Sequence, residues 1–440
     1  MAAKQHIVKP STLPGFMELL PGEQILFNRM MDNIRKVYER YGFVPLDTPV
    51  IEKAEVLLAK GGGDTEKQVY RFMKGESDLA MRFDLTVPLA RFVAQHMNEL
   101  AFPFRRYQIG KVYRGEKNQK GRFREFYQCD IDVIGREKLD VATDAEIPAI
   151  IYHVFTEMGL PPFVIRINNR KLMNGLFAHY GVAGKPELLR TIDKLEKIGM
   201  ARTRKELLDV GLDESAVDGI FAFIGIEGTN TEILESLEQL QIENEQFQEG
   251  LAELKQVTAL IRAFGVPEEA FAITLKIVRG LDYYTGTVYE TLLVAYPEIG
   301  SVCSGGRYDN LAEYYTREKL PGVGISIGLT RLFDQLKEAG LQEDKGVATL
   351  SRMLVIPIGE TLETCARIAS RFRHAGVVTE VYLEDTKIGK KMNYANKLGI
   401  PFVVLVGEEE VSDGLLTLKD MGSGVQRRMT FEEALAAVRE

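Results

Sequence analysis

The 440-residue sequence predicts an α+β protein: a mainly antiparallel sheet flanked by helices, a helical segment interrupting it, and a C-terminal α/β unit. Three observations predict this. First, Phe104–Gly135 (FRRYQIGKVYRGEKNQKGRFREFYQCDIDVIG) passes from a β-favouring apolar run through a polar Gly/Asn/Lys stretch and back to alternating apolar residues. That is the pattern of two antiparallel strands joined by a long loop. Second, Lys171 to about Leu260 is helical in spacing throughout, and Ile226–Gly250 carries seven glutamates and no Lys or Arg, as a solvated helix face does. Third, the chain beyond Lys345–Leu350, the expected linker, alternates strand (Met353–Ile358), helix (Thr361–Ala375), strand (Val377–Leu383), helix (Lys390–Leu398) and strand (Phe402–Val406). That order builds a small, mostly parallel sheet.

The remaining elements follow in chain order. Gly22–Tyr41 has Ile25, Met30, Ile34, Val37 and Tyr38 near helical spacing, and Gly42 ends it. GFVPLDTPVIE (42–52) is extended but broken by Pro45 and Pro49, which suits an edge or an interface. Gln68–Phe72 and Leu79–Leu85 read as a hairpin, Val87–Leu100 and Ala142–Met158 as helices, and Phe163–Asn168 as a strand. Strands resume at Phe271–Val278, Val288–Val294 and Val323–Ile327, with a helix from Leu329.

Composition excludes several classes. No apolar run reaches the roughly 18 residues of a membrane span, and the N-terminal MAAKQHIVKPSTLPG lacks a signal-peptide core, so a cytoplasmic protein is expected. Three dispersed cysteines (Cys129, Cys303, Cys365) and five scattered histidines suggest neither a disulfide framework nor a metal site made of protein side chains. The net charge of −8 argues against broad nucleic-acid coating but leaves room for a specific RNA met by local basic patches.

Four stretches carry residues able to handle charge. Phe104–Arg124 holds eight Lys/Arg against one acid, Glu116. Arginine forks match phosphate oxygens, while a solvated basic hairpin tip accounts for the same charge equally well. Arg82–Thr86 (RFDLT) offers an acid and a hydroxyl suited to an ammonium ligand, or a capping Asp before the following helix. Arg279–Glu290 (RGLDYYTGTVYE) sets Arg, Asp and paired tyrosines beside a strand. Ser301–Asn310 (SVCSGGRYDN) leads to GVGISIGLTRLF at 322–333, where the glycine spacing is GxGxxxG outside a βαβ unit, so a dinucleotide fold is rejected. These residues describe an antiparallel-sheet enzyme that binds an anionic, nucleotide-like ligand through arginines and a zwitterionic one through carboxylates and tyrosines.

Together the four stretches resemble the class II aminoacyl-tRNA synthetases, and within them the histidyl-tRNA synthetase family. The helix at Gly22–Tyr41 with its Pro49 segment looks like the first class motif, Tyr113–Gly135 like the second and GISIGLTRLF like the third; RGLDYYTGTVYE and GGRYDN are the discriminating pair. The resemblance implies a six- to seven-stranded catalytic sheet in two parts (residues 1–170 and 261–344), a helical insertion (171–260) and an anticodon-binding domain (350–440). It implies histidine activation with ATP, magnesium bound mainly through the ATP phosphates, transfer to tRNA, and a homodimer formed through Gly22–Glu52.

By the same resemblance, Arg114 would hold the ATP α-phosphate, Glu116 the adenine amino group, and Phe126 and Arg331 the two faces of the ring, with Arg122 helping at the γ-phosphate. Asp84, Leu85, Thr86 and Gln128 would hold the histidine ammonium and carboxylate, joined by Arg114 and Arg279. Asp132, Tyr283 and Tyr284 would read the imidazole, and Arg279 with Arg114 would be catalytic. Lys390, Lys391, Asn393 and Lys397 would face the anticodon. A regulatory subunit that binds histidine without charging tRNA is the alternative; the retained Arg114, Glu116, Arg279 and Arg331 and the C-terminal unit weigh against it. Two positions depart from common family forms: Thr330, where a Glu often precedes the arginine, and Asp132, shorter than the Glu of some relatives.

Overall fold

The computed structural model describes residues 8–59, 64–116, 121–182, 186–193, 195–277, 284–341 and 348–439. The chain forms two compact units: Met30–Ala339 with the segment up to Met17, and Gly340–Glu440 with Glu18–Arg29.

Strands β1 (Val44–Pro45), β2 (Ile51–Lys53), β3 (Arg71–Lys74) and β4 (Ser77–Met81) precede the ten-residue pair β5 (Phe104–Tyr113) and β6 (Glu125–Ile134). After them come β7 (Phe163–Asn169), β8 (Phe271–Ile273), β9 (Thr287–Leu293), β10 (Cys303–Tyr308) and β11 (Gly322–Ile327). The helices of this part are α1 (Pro21–Arg40), α2 (Ala54–Leu57), α3 (Asp64–Gln68), α4 (Thr86–His96), α5 (Ala142–Glu157), α6 (Arg170–His179), α7 (Pro186–Asp193), α8 (Leu195–Ile198), α9 (Met200–Asp209), α10 (Glu214–Ile224), α11 (Asn230–Gln239), α12 (Glu245–Ala263) and α13 (Leu329–Glu338).

The main sheet has eight strands in the order β1-β5-β6-β11-β10-β9-β7-β8, antiparallel except where the short edge strands β1 and β8 pair in parallel. The expected six to seven strands are thus exceeded. Edge strands of two and three residues are too short to carry a period-2 signal. β10 was likewise invisible as a strand, because CSGGRY lacks β-branched residues; its neighbours supply the pairing on both sides. The small hairpin is shorter than its expected Gln68–Phe72 and Leu79–Leu85. Its second strand ends at Met81, because Arg82 turns inward to Asp47, Thr48 and the Lys111 carbonyl.

Strand pairing sorts every side chain to one of two faces. One face of the large sheet is covered by helices: the α1 Tyr38 hydroxyl donates to the Cys129 carbonyl at 3.0 Å, and the Tyr289 hydroxyl to the Asp144 carbonyl of α5 at 2.7 Å. On that face Arg307, from the GGRY stretch, is clasped by Asp144 at 2.7 Å with both side chains almost fully buried. At one end of the other face α4 and the small sheet pack over Ile134 and Tyr308. Next to them the polar residues described below are left open. Helix α12 packs closely on α6, where a Cβ at Gly175 would lie 2.5 Å from the Phe247 backbone, and Glu253 holds Lys171.

The second unit contains β12 (Met353–Pro357), β13 (Thr379–Val381), β14 (Phe402–Val406), β15 (Leu416–Asp420), β16 (Gln426–Met429), and helices α14 (Leu362–His374), α15 (Ile388–Leu398), α16 (Glu408–Asp413) and α17 (Phe431–Arg439). Its sheet, β13-β12-β14-β15-β16, is parallel over its first three strands and antiparallel over the last two. The alternation of β12 builds both layers: Met353 and Val355 meet α14 and α17, and Leu354 and Ile356 meet α15.

Candidate active site

The open face of the large sheet is polar because of register. Arg106, Gln108 and Gly110 on β5 stand opposite Asp132, Asp130 and Gln128 on β6, which in turn face Gly324 and Ser326 on β11. All these side chains project to one side. Arg106, fully buried, pairs with Asp132 Oδ2 at 2.7 Å and donates to the Leu85 carbonyl at 3.2 Å. The Tyr308 hydroxyl donates to Asp132 Oδ1 at 2.6 Å, and Gln128 Nε2 to Ser326 Oγ at 2.7 Å. Gly324 is needed here: a Cβ would lie 2.3 Å from Asp132 Oδ1, so only glycine lets this carboxylate lie across β11.

Above the face lies a cavity of about 450 Å³, within the range of small-molecule sites. Asp84 and Thr86 line it from the start of α4. Asp84 does cap that helix, its Oδ1 accepting from the Val87 N–H at 2.9 Å. Its buried Oδ2 has no partner among the described residues, so capping uses only half of the carboxylate. From the end of the β5–β6 pair come Arg114, whose Nε donates to the Phe83 carbonyl at 2.9 Å, and Phe126, whose ring centre is 5.1 Å from the Arg114 guanidinium. Glu116 accepts from Arg122 at 3.1 Å. Tyr284 and Arg331 complete the wall. Arg331 Nη2 donates to the Ile299 carbonyl at 2.7 Å, and its neighbour Thr330 accepts the Tyr127 N–H at 2.8 Å, tying the first turn of α13 to β6. That bond gives Thr330 a structural use.

Burial dominates the electrostatics. It pushes Asp130 up to about 7 and Asp132 up to about 6, against the opposing pull of Arg106, and raises Asp84 against the Val87 hydrogen bond. With folded values above the free 3.8, the folded chain binds these protons more tightly than the unfolded chain. Their stabilising share is therefore full below about pH 4 and lost as pH rises through 6 and 7. Asp130→Asn removes one such group, so the melting temperature of the variant relative to wild type should rise between about pH 5 and pH 8 in scanning calorimetry. A difference constant over that range contradicts the burial argument.

A model of the family "Histidyl-tRNA synthetase" matches residues 15–332, and a model of an "Anticodon binding domain" matches 352–440. The chain belongs to the histidyl-tRNA synthetase family. A histidine–tRNA ligase of Clostridium tetani is 59% identical over 436 residues, covering 99% of each chain, and that of Clostridium acetobutylicum is 48% identical over 97% of this chain and 99% of its own. The crystal structure of a histidyl-tRNA synthetase from Nostoc sp. PCC 7120 superposes with a TM-score of 0.91 at 41% identity, covering 98% of this chain and 99% of that one. A Bacillus halodurans structure titled as an ATP phosphoribosyltransferase regulatory subunit/histidyl-tRNA synthetase shares the fold at a TM-score of 0.73 and 21% identity.

In this synthetase-family chain, the expected residues Asp84, Thr86, Arg114, Glu116, Arg122 and Phe126 line one cavity, as do Gln128, Asp132, Tyr284 and Arg331. Leu85 does not: its side chain is buried, and it contributes a carbonyl to Arg106. Arg279 and Tyr283 lie outside the described residues, as do Lys117 and Lys120 of the basic loop. Not all eight cations of that stretch are available to a ligand, because several have structural partners. Arg105 pairs with Glu146, Lys111 with Glu125 and Arg106 with Asp132. Lys391 also departs from the expected exposed helix face. It is buried, donating to the Pro357 carbonyl at 2.9 Å and lying over the Tyr382 ring, whereas Lys390, Asn393 and Lys397 are exposed. Sequence reasoning missed Asp130, Arg106 and Tyr308. The signal was present as parity: Gln128, Asp130 and Asp132 alternate with the apolar Cys129, Ile131 and Val133.

Proposed function

We propose that the protein activates L-histidine with ATP to histidyl-adenylate and transfers the histidine to the 3′ end of its cognate tRNA. The observation that carries this reading is one cavity of about 450 Å³ lined both by arginines (Arg114, Arg122, Arg331) and by buried carboxylates (Asp84, Asp130, Asp132). That layout suits a triphosphate meeting a zwitterion. Family membership and the histidine–tRNA ligases at up to 59% identity support it.

In this reading the α-phosphate lies against Arg114, held by the Phe83 carbonyl, and the adenine sits between Phe126 and Arg331 with Glu116 at its amino group. Asp84, whose buried Oδ2 has no hydrogen-bond partner among the described residues, takes the substrate ammonium. In-line attack of the histidine carboxylate on the α-phosphorus expels pyrophosphate, and cations flanking that phosphorus stabilise the charge that builds on its oxygens. Arg279 is assigned to the opposite side of the phosphate from the family resemblance alone. Magnesium, which would be bound mainly through the ATP phosphates since no group of three or more His, Cys, Asp or Glu among the described residues could hold it, would supply charge neutralisation on the leaving pyrophosphate.

The anticodon end of the tRNA is assigned to the exposed side of α15 through Lys390, Asn393 and Lys397. A cytoplasmic homodimer is proposed through Gly22–Glu52, where Val44 and Ile51 expose 49% and 47% of their surface. No helix among the described residues is long and apolar enough to cross a membrane.

ATP–pyrophosphate exchange with each of the twenty amino acids tests the reading. Exchange with histidine alone is expected; no exchange with histidine binding retained would make the protein a regulatory relative instead. Charge reversal at both Lys390 and Lys397 should lower tRNA charging about tenfold while leaving exchange unchanged. Equal charging by wild type and variant would remove α15 from the tRNA surface.

A further inference from the structure

Arg114, Glu116, Arg122 and Phe126 sit at the two ends of the β5–β6 connection, and those ends are gripped by stretches of chain that do not line the cavity. From one side the Gln68 carbonyl, in α3, accepts the Gly115 N–H at 2.6 Å. From the other comes the N-terminal stretch. Leu13–Phe16 (LPGF) has the residues a type II turn demands, Pro second and Gly third. The Leu13 carbonyl accepts the Phe16 N–H at 3.1 Å, and Gly15 takes a φ of +84°. The Gly15 carbonyl then accepts the Arg124 N–H at 2.7 Å and the Glu125 N–H at 3.4 Å, at the start of β6. Arg124 is the knot. Its carbonyl accepts the Arg114 N–H at 2.9 Å, its Nε donates to the Glu116 carbonyl at 3.1 Å, and its Nη1 donates to the Pro14 carbonyl at 3.4 Å. Its side chain lies against Gly15, where an added Cβ would come within 2.9 Å of Cγ. Cγ is close to the backbone, so displacing it carries the guanidinium off both carbonyls.

We propose that the Leu13–Phe16 turn, tied in through Arg124, is a positioning element for ATP: it fixes the backbone of Arg114 and Glu116, so that phosphate and adenine meet groups already in place. The proposal rests on the ATP reading above. Loop ends free to move would have to be ordered by the nucleotide, and that ordering is subtracted from its affinity. A clamp made from the protein's own chain removes the cost, and a displacement of about 1 Å is enough to matter, costing about 10²-fold in some sites. The groups assigned to histidine do not depend on the clamp. Asp84 and Thr86 stand at the start of α4, and Gln128 and Asp132 lie deeper along β6, where β5 and β11 pair with it on both sides.

The test is histidine-dependent ATP–pyrophosphate exchange, which needs no tRNA, together with calorimetric titration of ATP and of L-histidine. Both are run on full-length wild type, Gly15→Ala, Arg124→Met and the double variant. Gly15→Ala places a Cβ at a positive φ and against Arg124, while Arg124→Met keeps a long side chain but removes the donations to Glu116 and Pro14. Each should raise the KM for ATP about tenfold and leave the KM and affinity for histidine within about twofold of wild type. The double variant should stay within about threefold of the worse single one, because both changes open the same clamp. A merely structural role would raise both KM values together, and that result overturns the proposal. So does a KM for ATP within about twofold of wild type in Arg124→Met, or a double variant in which the two effects multiply. If Gly15→Ala loses its cooperative unfolding transition, the split between the two KM values in Arg124→Met decides. Wild type without exchange overturns the adenylate reading, and calorimetric ATP affinity then judges the clamp: about tenfold weaker binding in Arg124→Met upholds it, and equal binding removes it.

Discussion

Arg114→Ala should lower histidine-dependent pyrophosphate exchange about 10²–10³-fold, the usual cost of removing one fixed donor from a developing anion. The guanidinium is held before any ligand arrives: its Nε is bound to the Phe83 carbonyl at 2.9 Å, and it stands 5.1 Å from the Phe126 ring centre. Preorganisation of this kind costs no rearrangement as charge builds on the α-phosphate. The loss should therefore fall mainly on kcat, with a smaller rise in the KM for ATP. Stability should change little, because Arg114 lines the cavity and its Nε bonds only a backbone carbonyl, that of Phe83. Exchange within threefold of wild type would remove Arg114 from the chemistry.

The largest stability effect should come from the opposite face of the sheet. Arg307 and Asp144 form a buried pair with side chains 6% and 1% exposed. Arg307 also donates to the Leu139 and Asp140 carbonyls at 3.0 Å, and Asp144 Oδ2 accepts from Thr287 at 2.7 Å. Arg307→Met leaves the Asp144 carboxylate buried without its cation, and one-sided deletions of this kind cost about 3–5 kcal/mol. A urea titration followed by intrinsic fluorescence should show the first unit unfolding at a markedly lower midpoint. Adding Asp144→Leu should recover part of the loss, because no uncompensated charge then remains. A single-variant cost below about 1 kcal/mol would mean that water reaches the pair.

Arg307 also shows where sequence reading stopped. GGRYDN is a discriminating peptide, and its arginine resembles a ligand group as strongly as Arg114 does. Pairing decides otherwise: Arg307 lies opposite Val323 on the helix-covered face, while Tyr308, one residue on, lies on the other. The same parity separates Asp130 and Asp132 from Ile131. Lys391 repeats the lesson in the second unit, where one turn of α15 carries Lys390 to solvent and Lys391 to the Pro357 carbonyl.

By itself the sequence determined the kinds of elements and their order: the long β5–β6 pair, the helical stretch between the two parts of the sheet, and the α/β unit at the end. Those features rest on local periodicity and on Gly and Pro punctuation, which act over a few residues. It also marked most of the cavity residues, because charged and aromatic side chains in long motifs stand out without coordinates. Tertiary structure alone decided which cations are free and which are spent on Glu146, Glu125, Asp132 or Asp144. It also decided that glycine-rich CSGGRY is a central strand and that Asp130 and Asp132 are buried on the cavity side of β6. The reason is physical: a side chain's partners and its loss of water depend on strands brought together from more than a hundred residues apart, and no local pattern carries that register.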